Sequence, residues 1–236
     1  MITRALVVPH PPLLVPELVP GSEDSTDEVR KACVAAAAEL AASHPRWIAV
    51  AAGIGKAIEP SAVGSFRAYG ADVRVALSAQ PADASAPASL PLPALVAGWL
   101  RERAGATSVR VELVPGDADP SECVALGERL ASDTSDDTAL LVLGDGSTRH
   151  DLSAPGWFDE RAVPFDTEVA DVLERADHAA LLNIDPALAA ELGAGGRAPW
   201  QVLAGLAGAG GHWRGELRYS AAPRGVGYHV AFWERR

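Results

Sequence analysis

A histidine among prolines follows the first apolar run of the chain and is the first residue whose type and position could do chemistry. His10 stands between Pro9 and the pair Pro11 and Pro12, which hold its imidazole on a stiff backbone. Imidazole titrates near neutral pH and is a common metal ligand, so His10 is a candidate metal ligand or acid–base group. The alternative is a histidine that only packs and hydrogen-bonds in a turn.

A second polar group, residues 144–147 (GDGS), follows a later apolar run. Glycine permits tight turns there, and the exposed amides could hold an anion. Asp145 is a candidate for binding a metal or orienting a histidine, and His150 in the same segment is a candidate acid–base group. Alternatively, Asp145 and Ser147 bond to their own backbone in a turn. A hydrolytic triad is not indicated, because Ser147 lacks the GxSxG elbow that activates such a serine.

A glycine-rich stretch, residues 193–200 (GAGGRAPW), carries the third candidate. Arg197 comes just before a predicted helix that has Pro199 in its first turn. It faces either an anionic substrate or a surface acid, and the sequence leaves both interpretations open. The remaining histidines occur in contexts typical of loop or hairpin surface: His44, His178, His212 and His229.

Apolar runs alternate with helical stretches, which predicts the elements that position these residues. Strands are predicted over residues 4–8, 47–52, 73–77, 109–114 and 139–144, and helices over 24–42, 92–104 and 120–132. Continuous apolar strands separated by helices are typical of an α/β fold with a central, mainly parallel sheet covered by helices on both faces. Ligands bind at the carboxyl ends of such strands, where His10, Gly53 and Asp145 are expected.

After the fifth predicted strand the pattern changes. We expect a long polar loop over residues 145–165, helices over 165–176, 186–193 and 198–208, and a C-terminal antiparallel hairpin over 212–233 that turns at 223–225. The first helix has candidate caps at Asp24, Ser25 and Thr26. The Pro-, Ala- and Ser-rich stretch 79–93 is interpreted as a surface excursion within one domain, residues 1–236.

Composition excludes several classes of function. The 236 residues include 20 Lys plus Arg against 31 Asp plus Glu, a net charge of −11, so broad nucleic-acid binding is not expected. Cys33 and Cys123 form neither a disulfide framework nor a metal knuckle, which fits a reducing cytoplasm. The first apolar run ends at Pro9, too early for a signal peptide, and no stretch reaches the roughly 20 apolar residues of a membrane span. We therefore expect a cytoplasmic protein with no membrane partner.

Four stretches together resemble a known family: residues 7–21 (VVPHPPLLVPELVPG), 140–147 (LLVLGDGS), 154–166 (APGWFDERAVPFD) and 191–205 (ELGAGGRAPWQVLAG). They are similar to the class III extradiol ring-cleavage dioxygenases of LigB type, and most closely to a small actinobacterial branch of stand-alone proteins that resemble the catalytic beta subunit. The resemblance implies a central sheet with helices on both faces. It also implies an Fe(II) ion held by two histidines and a glutamate, with a further histidine for acid–base work.

Of the iron ligands that the resemblance implies, only His10 matches in register. The second histidine of the family follows the second strand, where residues 51–55 read AAGIG. The glutamate has no counterpart at residues 194–196, although Glu191 lies about one helical turn earlier. The acid–base histidine often follows a serine directly, whereas here Ser147 is followed by Thr148 and His150 comes two residues after that.

Three hypotheses follow. The first is a LigB-like domain with an incomplete iron site that binds a small molecule, or has altered chemistry, in a cleft lined by His10, Gly53, Asp145, Ser147, His150 and Arg197. The second is an active Fe(II) dioxygenase with a rearranged site, in which His10 with Glu191 or Asp145 binds the metal and an aromatic diol is the substrate. Zn(II), or no metal at all, is compatible with the same residues. The third is an interaction protein whose hairpin aromatics form a homodimer surface: Trp213, Tyr219, Tyr228, Phe232 and Trp233.

Overall fold

The computed structural model describes residues 1–19, 26–80, 89–132 and 137–236. Its strands are β1 (Arg4–Val8), β2 (Arg46–Ala52), β3 (Val63–Ser65), β4 (Arg74–Ala76), β5 (Ser108–Val114), β6 (Thr138–Leu143), β7 (Trp213–Ala221) and β8 (Tyr228–Arg235). Its helices are α1 (Asp27–Ser43), α2 (Leu92–Ala104), α3 (Pro120–Ser132), α4 (Ala162–Arg175), α5 (His178–Leu182), α6 (Pro186–Glu191) and α7 (Arg197–Gly208). Strands and helices alternate as the apolar pattern predicts, and the short α5 is an element that the pattern did not reveal.

Six strands form the central sheet in the order β5-β2-β6-β1-β8-β7. The pairs β5–β2, β2–β6 and β6–β1 are parallel, whereas β8 runs antiparallel to β1 and pairs with β7. Every residue of β6 is buried, as a central parallel strand with both faces covered requires. The predicted mainly parallel sheet and the C-terminal antiparallel hairpin are both confirmed.

The predicted third strand is not part of this sheet. β4 pairs with β3 in a separate two-stranded sheet, in which Val75 lies opposite Gly64. The adjoining segments instead reach the outer edge of β5 through two single bridges, Ile58 to Val111 and Ser78 to Ser108. They thereby cover an edge of the sheet that would otherwise present unpaired backbone groups.

Helices cover both faces of the sheet, so the core has two layers. α1 and α2 pack on one face through residues such as Leu40, Leu95 and Trp99. α3, α4 and α7 pack on the other. α7 contacts α3 closely because Gly127 lies where a Cβ would collide with the backbone of Val202. Among the helices of the described residues, none is both long and apolar enough to cross a membrane.

Two sequence-based expectations concern residues that the structure does not describe or residues next to them. The candidate caps Asp24 and Ser25, and residues 81–88 of the predicted surface excursion, lie outside the described residues. Thr26 precedes α1 but makes no capping hydrogen bond with its side chain.

The hairpin aromatics belong largely to the core of the chain. Tyr228, Phe232 and Trp233 of β8 are buried, and Trp233 Nε1 donates to the carbonyl of Leu173 at 2.8 Å. Trp213 and Tyr219 of β7 are half-buried and pack against the core. The ring centroid of Trp213 lies 6.5 Å from that of Trp233. These side chains stabilise the packing of β8 on its own sheet.

Candidate functional site

The carboxyl ends of β1 and β6 bring His10 and Asp145 together. These strands are parallel neighbours, with Val8 opposite Leu143, and the N–H of Gly144 extends the ladder by donating to the carbonyl of Val8 at 3.0 Å. The next residues of each strand therefore meet. The backbone N–H of His10 donates to Asp145 Oδ1 at 2.8 Å, and His10 Nδ1 lies 3.6 Å from the same oxygen.

The ring of His10 has unused hydrogen-bonding capacity. Its Nδ1 is buried without a hydrogen-bond partner, because 3.6 Å to Asp145 is longer than a hydrogen bond. The side chains of His10 and Asp145 are 14% and 21% exposed. A buried polar atom without a partner costs stability, and in native proteins it calls for a functional explanation.

The neighbours of Asp145 stay uncharged at neutral pH. Burial raises the pKa of the Tyr228 hydroxyl above its usual range, and the charge of Asp145 raises it further. Burial and Asp145 act in the same direction on the pKa of the Cys33 thiol. The phenol of Tyr228 and the thiol of Cys33 therefore add no charge to this cluster.

A second arrangement centres on Asp166 of α4, a carboxylate that is buried beneath the loop leaving β6. His150 Nε2 lies 2.5 Å from Asp166 Oδ2, and His229 Nε2 of β8 lies 3.4 Å from Oδ1. The backbone N–H of Ser147 donates to both oxygens, at 3.0 and 3.2 Å. We call these three side chains, His150, Asp166 and His229, the Asp166 network.

The charge of Asp166 is stabilised by its partners. Burial alone would raise the pKa of this carboxyl, but hydrogen bonds from His150 and His229, together with their charges, hold the pKa below its usual value. Two glycines make room for the carboxylate, since a Cβ at Gly146 or Gly227 would collide with it. Asp166 is thus an ionised group in the protein interior.

The expectation that His229 lies on the surface is wrong. Its side chain is 1% exposed, its Nδ1 lies 3.0 Å from Ser220 Oγ, and its ring meets Trp200 edge-on. Neither His229 nor Asp166 was a sequence-based candidate. The sequence signal that could have identified His229 was the alternation of side chains along β8, which puts His229 and Tyr228 on opposite faces of the sheet. The one sequence signal for Asp166 was its position in residues 154–166, a stretch that carries the family resemblance.

Two predicted ligand-binding residues make contacts within the protein instead. Ser147 is buried, and its Oγ donates to the carbonyl of Leu192 at 3.0 Å. Arg197 is also buried, and its guanidinium donates to the carbonyls of Ala118 and Gly116 at 2.5 and 2.7 Å. These bonds hold the loop after β5 against α7, so the guanidinium of Arg197 has a structural role.

Glu191, the second predicted metal ligand, lies on the surface. It ends α6, its side chain is 59% exposed, and its Oε2 accepts from Arg161 at 2.7 Å. The helical spacing that made it a candidate does not fix the direction of its side chain. Across the described ranges, no three His, Cys, Asp or Glu side chains come together in a way that could hold a metal ion.

Gly53 closes β2 at the same edge of the sheet, where its N–H donates to the carbonyl of Val114 at 2.8 Å. Beside it lies an open groove of about 470 Å³, lined mainly by apolar residues of the loops that follow β2 and precede α2. Its lining includes Ile54, Lys56, Leu90 and Leu113. The carboxyl edge of the sheet therefore offers both an imidazole–carboxylate pair and apolar surface.

Comparison with known proteins places the chain among relatives. A family model described as the catalytic LigB subunit of aromatic ring-opening dioxygenase matches residues 108–231, just over half of the chain. The fold is similar to that of an uncharacterized protein from Escherichia coli K12, with a TM-score of 0.54 and 12% sequence identity over 98% of this chain and 99% of that one. At this identity the likeness concerns the fold alone. The chain matches none of the curated proteins.

Proposed function

Because the chain belongs to the family of the catalytic LigB subunit of aromatic ring-opening dioxygenase, we propose that it binds a small aromatic hydroxyl compound at the carboxyl edge of its sheet. We propose that it does so without the iron centre that the resemblance implies. The pairing of His10 with Asp145 carries the proposal. This pair lies where open α/β sheets bind ligands, and the His10 ring has unused hydrogen-bonding capacity.

The pair suits a hydroxyl group. Asp145 accepts from the backbone of His10 and faces its Nδ1, so a proton on Nδ1 is stabilised by the carboxylate. In that tautomer Nε2 carries the lone pair, which a ligand could use. A phenolic O–H would donate to Nε2.

The donor set supports a site without iron. Fe(II) of this class is bound by two imidazoles and a carboxylate, which leave positions open for other ligands. His10 and Asp145 supply one of each, residues 51–55 offer no ligating side chain, and Glu191 is paired with Arg161 on the surface. The residues at hand do not fit the implied metal, so we assign the chemistry of this edge to its own side chains.

Calorimetric titration with nitrocatechol, an aromatic diol, in the presence of a chelator tests this proposal. We expect saturable binding with one site per chain, weakened about tenfold or more by His10→Ala, since the loss of a hydrogen bond to a charged pair is worth at least that factor. His212→Ala, which changes an exposed histidine, is the matched control and should bind as the wild type does. Absence of binding, or equal binding by His10→Ala, would contradict the proposal.

A further inference from the structure

We infer that Asp166, with His229 behind it, holds His150 in the single tautomer that has its hydrogen on Nε2 and its lone pair on Nδ1, and so fits His150 for the acid–base role that the resemblance implies for a histidine of this loop. Asp166 and His229 are then positioning residues, and His150 is the group that meets the ligand. The choice of ligand rests on the proposed function, whereas the tautomer rests on the Asp166 network alone.

The hydrogen-bond pattern around Asp166 fixes where the protons are. An ionised carboxylate only accepts hydrogen bonds, so each nitrogen that bonds to it must carry a hydrogen. His150 Nε2 lies 2.5 Å from Oδ2, and Asp166 is held in its ionised form by its partners. Neutral His150 is therefore protonated on Nε2, which leaves the lone pair on Nδ1.

His229 completes the same pattern from the other side. Its Nε2 lies 3.4 Å from Asp166 Oδ1, and since an ionised carboxylate only accepts, the hydrogen is on Nε2. The lone pair on Nδ1 is then left to accept from the hydroxyl of Ser220, whose Oγ lies 3.0 Å away. Because His229 is 1% exposed, it acts as a fixed donor. It helps to keep a buried carboxylate charged where burial alone would favour the neutral acid.

The remaining nitrogen of His150 is free to react. The backbone N–H of His150 donates to the carbonyl of Gly225 at 3.1 Å, which anchors the residue in the loop that also carries Asp145. Its side chain is 14% exposed, and none of the residues described by the structure bonds to Nδ1. A ligand hydroxyl that transfers its proton to Nδ1 would leave a phenolate and an imidazolium whose Nε2–H still faces Asp166.

This arrangement is the reverse of that at His10. There the carboxylate faces Nδ1 and leaves Nε2 available, whereas at His150 the carboxylate faces Nε2 and leaves Nδ1 available. The first pair joins His10 and Asp145, which follow β1 and β6, and the second joins His150 of the loop after β6 to Asp166 of α4. One pair would hold a hydroxyl group, and the other would accept a proton.

Long-range proton–nitrogen NMR correlation of histidine-labelled, ligand-free protein above neutral pH tests the tautomer directly. His150, assigned with His150→Gln, should show the Nε2–H form with a strongly downfield proton. Asp166→Asn should give a mixture of tautomers, whereas Asp171→Asn, an exposed substitution on the same helix, should leave the spectrum of His150 unchanged. An Nδ1–H form in the wild type, or an unchanged tautomer in Asp166→Asn, would overturn the inference.

Two additions keep the test decisive. If Asp166→Asn does not fold, the wild-type spectrum decides, because a mixed or Nδ1–H tautomer refutes the inference and the downfield Nε2–H form supports it. The colour of bound nitrocatechol then reports its ionisation, which should occur at lower pH on the wild type than on His150→Gln. Equal ionisation on both would refute the role as proton acceptor. Failure of nitrocatechol to bind would refute the proposed function and leave the tautomer result standing.

Discussion

Asp145 Oδ1 accepts the backbone N–H of His10 at 2.8 Å and lies 3.6 Å from Nδ1 of the same residue. One carboxylate oxygen therefore fixes the position of the His10 backbone and also lies beside Nδ1 of the His10 ring, without a hydrogen bond to it. Since the two residues follow adjacent parallel strands, this relationship is a direct product of the sheet. It is also the basis of the first prediction.

Asp145→Asn should separate ligand binding from folding. Asparagine keeps an oxygen that can accept the N–H of His10, so the free energy of unfolding should change by no more than about 1 kcal/mol. The negative charge that stabilises a proton on Nδ1 is lost, and affinity for nitrocatechol should fall about tenfold or more. Calorimetric titration measures the affinity, and Asp117→Asn is the exposed control. Wild-type affinity in Asp145→Asn would show that the charge has no part in binding.

Arg197→Met should have the opposite effects, with lower stability and unchanged ligand binding. Its guanidinium donates to two backbone carbonyls in the interior, and their loss should lower the free energy of unfolding by about 3 kcal/mol. The folded protein should bind nitrocatechol with unchanged affinity. Urea unfolding and calorimetry measure the two quantities, with Arg129→Met on exposed α3 surface as the control. Stability like that of the wild type together with weakened binding would restore the role of Arg197 in contacting an anion.

Asp166 should make stability depend on pH in acid. Its pKa in the folded protein lies below its ordinary value of 3.8, so the stabilisation is complete above that value and is lost as the pH falls through the folded pKa. Asp166→Asn should have a flatter stability profile below about pH 4. Urea unfolding at a series of pH values gives the profile, and Asp171→Asn should retain the wild-type slope. An equally steep loss in Asp166→Asn would assign the acid sensitivity to other carboxylates.

Both cysteine thiols should be unreactive in the native protein. Cys33 and Cys123 are buried and free, and burial raises the pKa of each thiol, so little thiolate forms at neutral pH. A disulfide reagent should label them only as fast as the protein opens, and completely after unfolding. Rapid labelling of either thiol in the native state would mean that its surroundings are open to solvent.

Much of the fold could be predicted because apolar runs of strand length mark strands that are buried on both faces. The exception is instructive: β4 has a buried centre at Val75, but it pairs with β3 outside the main sheet. Nothing in a three-residue strand specifies its partner. The edge of β5 is met instead by single bridges from Ile58 and Ser78, which the apolar pattern does not encode.

The site was predictable only where strands determine position. His10 and Asp145 were expected at strand ends and meet there. Asp166 and His229 come from elements far apart in sequence, and their contact depends on how α4 docks against the turns at Gly146 and Gly227. Sequence spacing placed Glu191 about one helical turn from the position of the family's glutamate. It could not set the direction of the Glu191 side chain, which the ion pair with Arg161 determines.

Anaerobic titration of metal-free protein with Fe(II) tests the central claim most directly, since the claim is that His10 and Asp145 bind a ligand without the family's iron centre. At micromolar protein, neither the wild type nor His10→Ala should bind Fe(II) stoichiometrically. Stoichiometric binding by the wild type that disappears in His10→Ala would contradict the account, and would mean that further ligands assemble around His10.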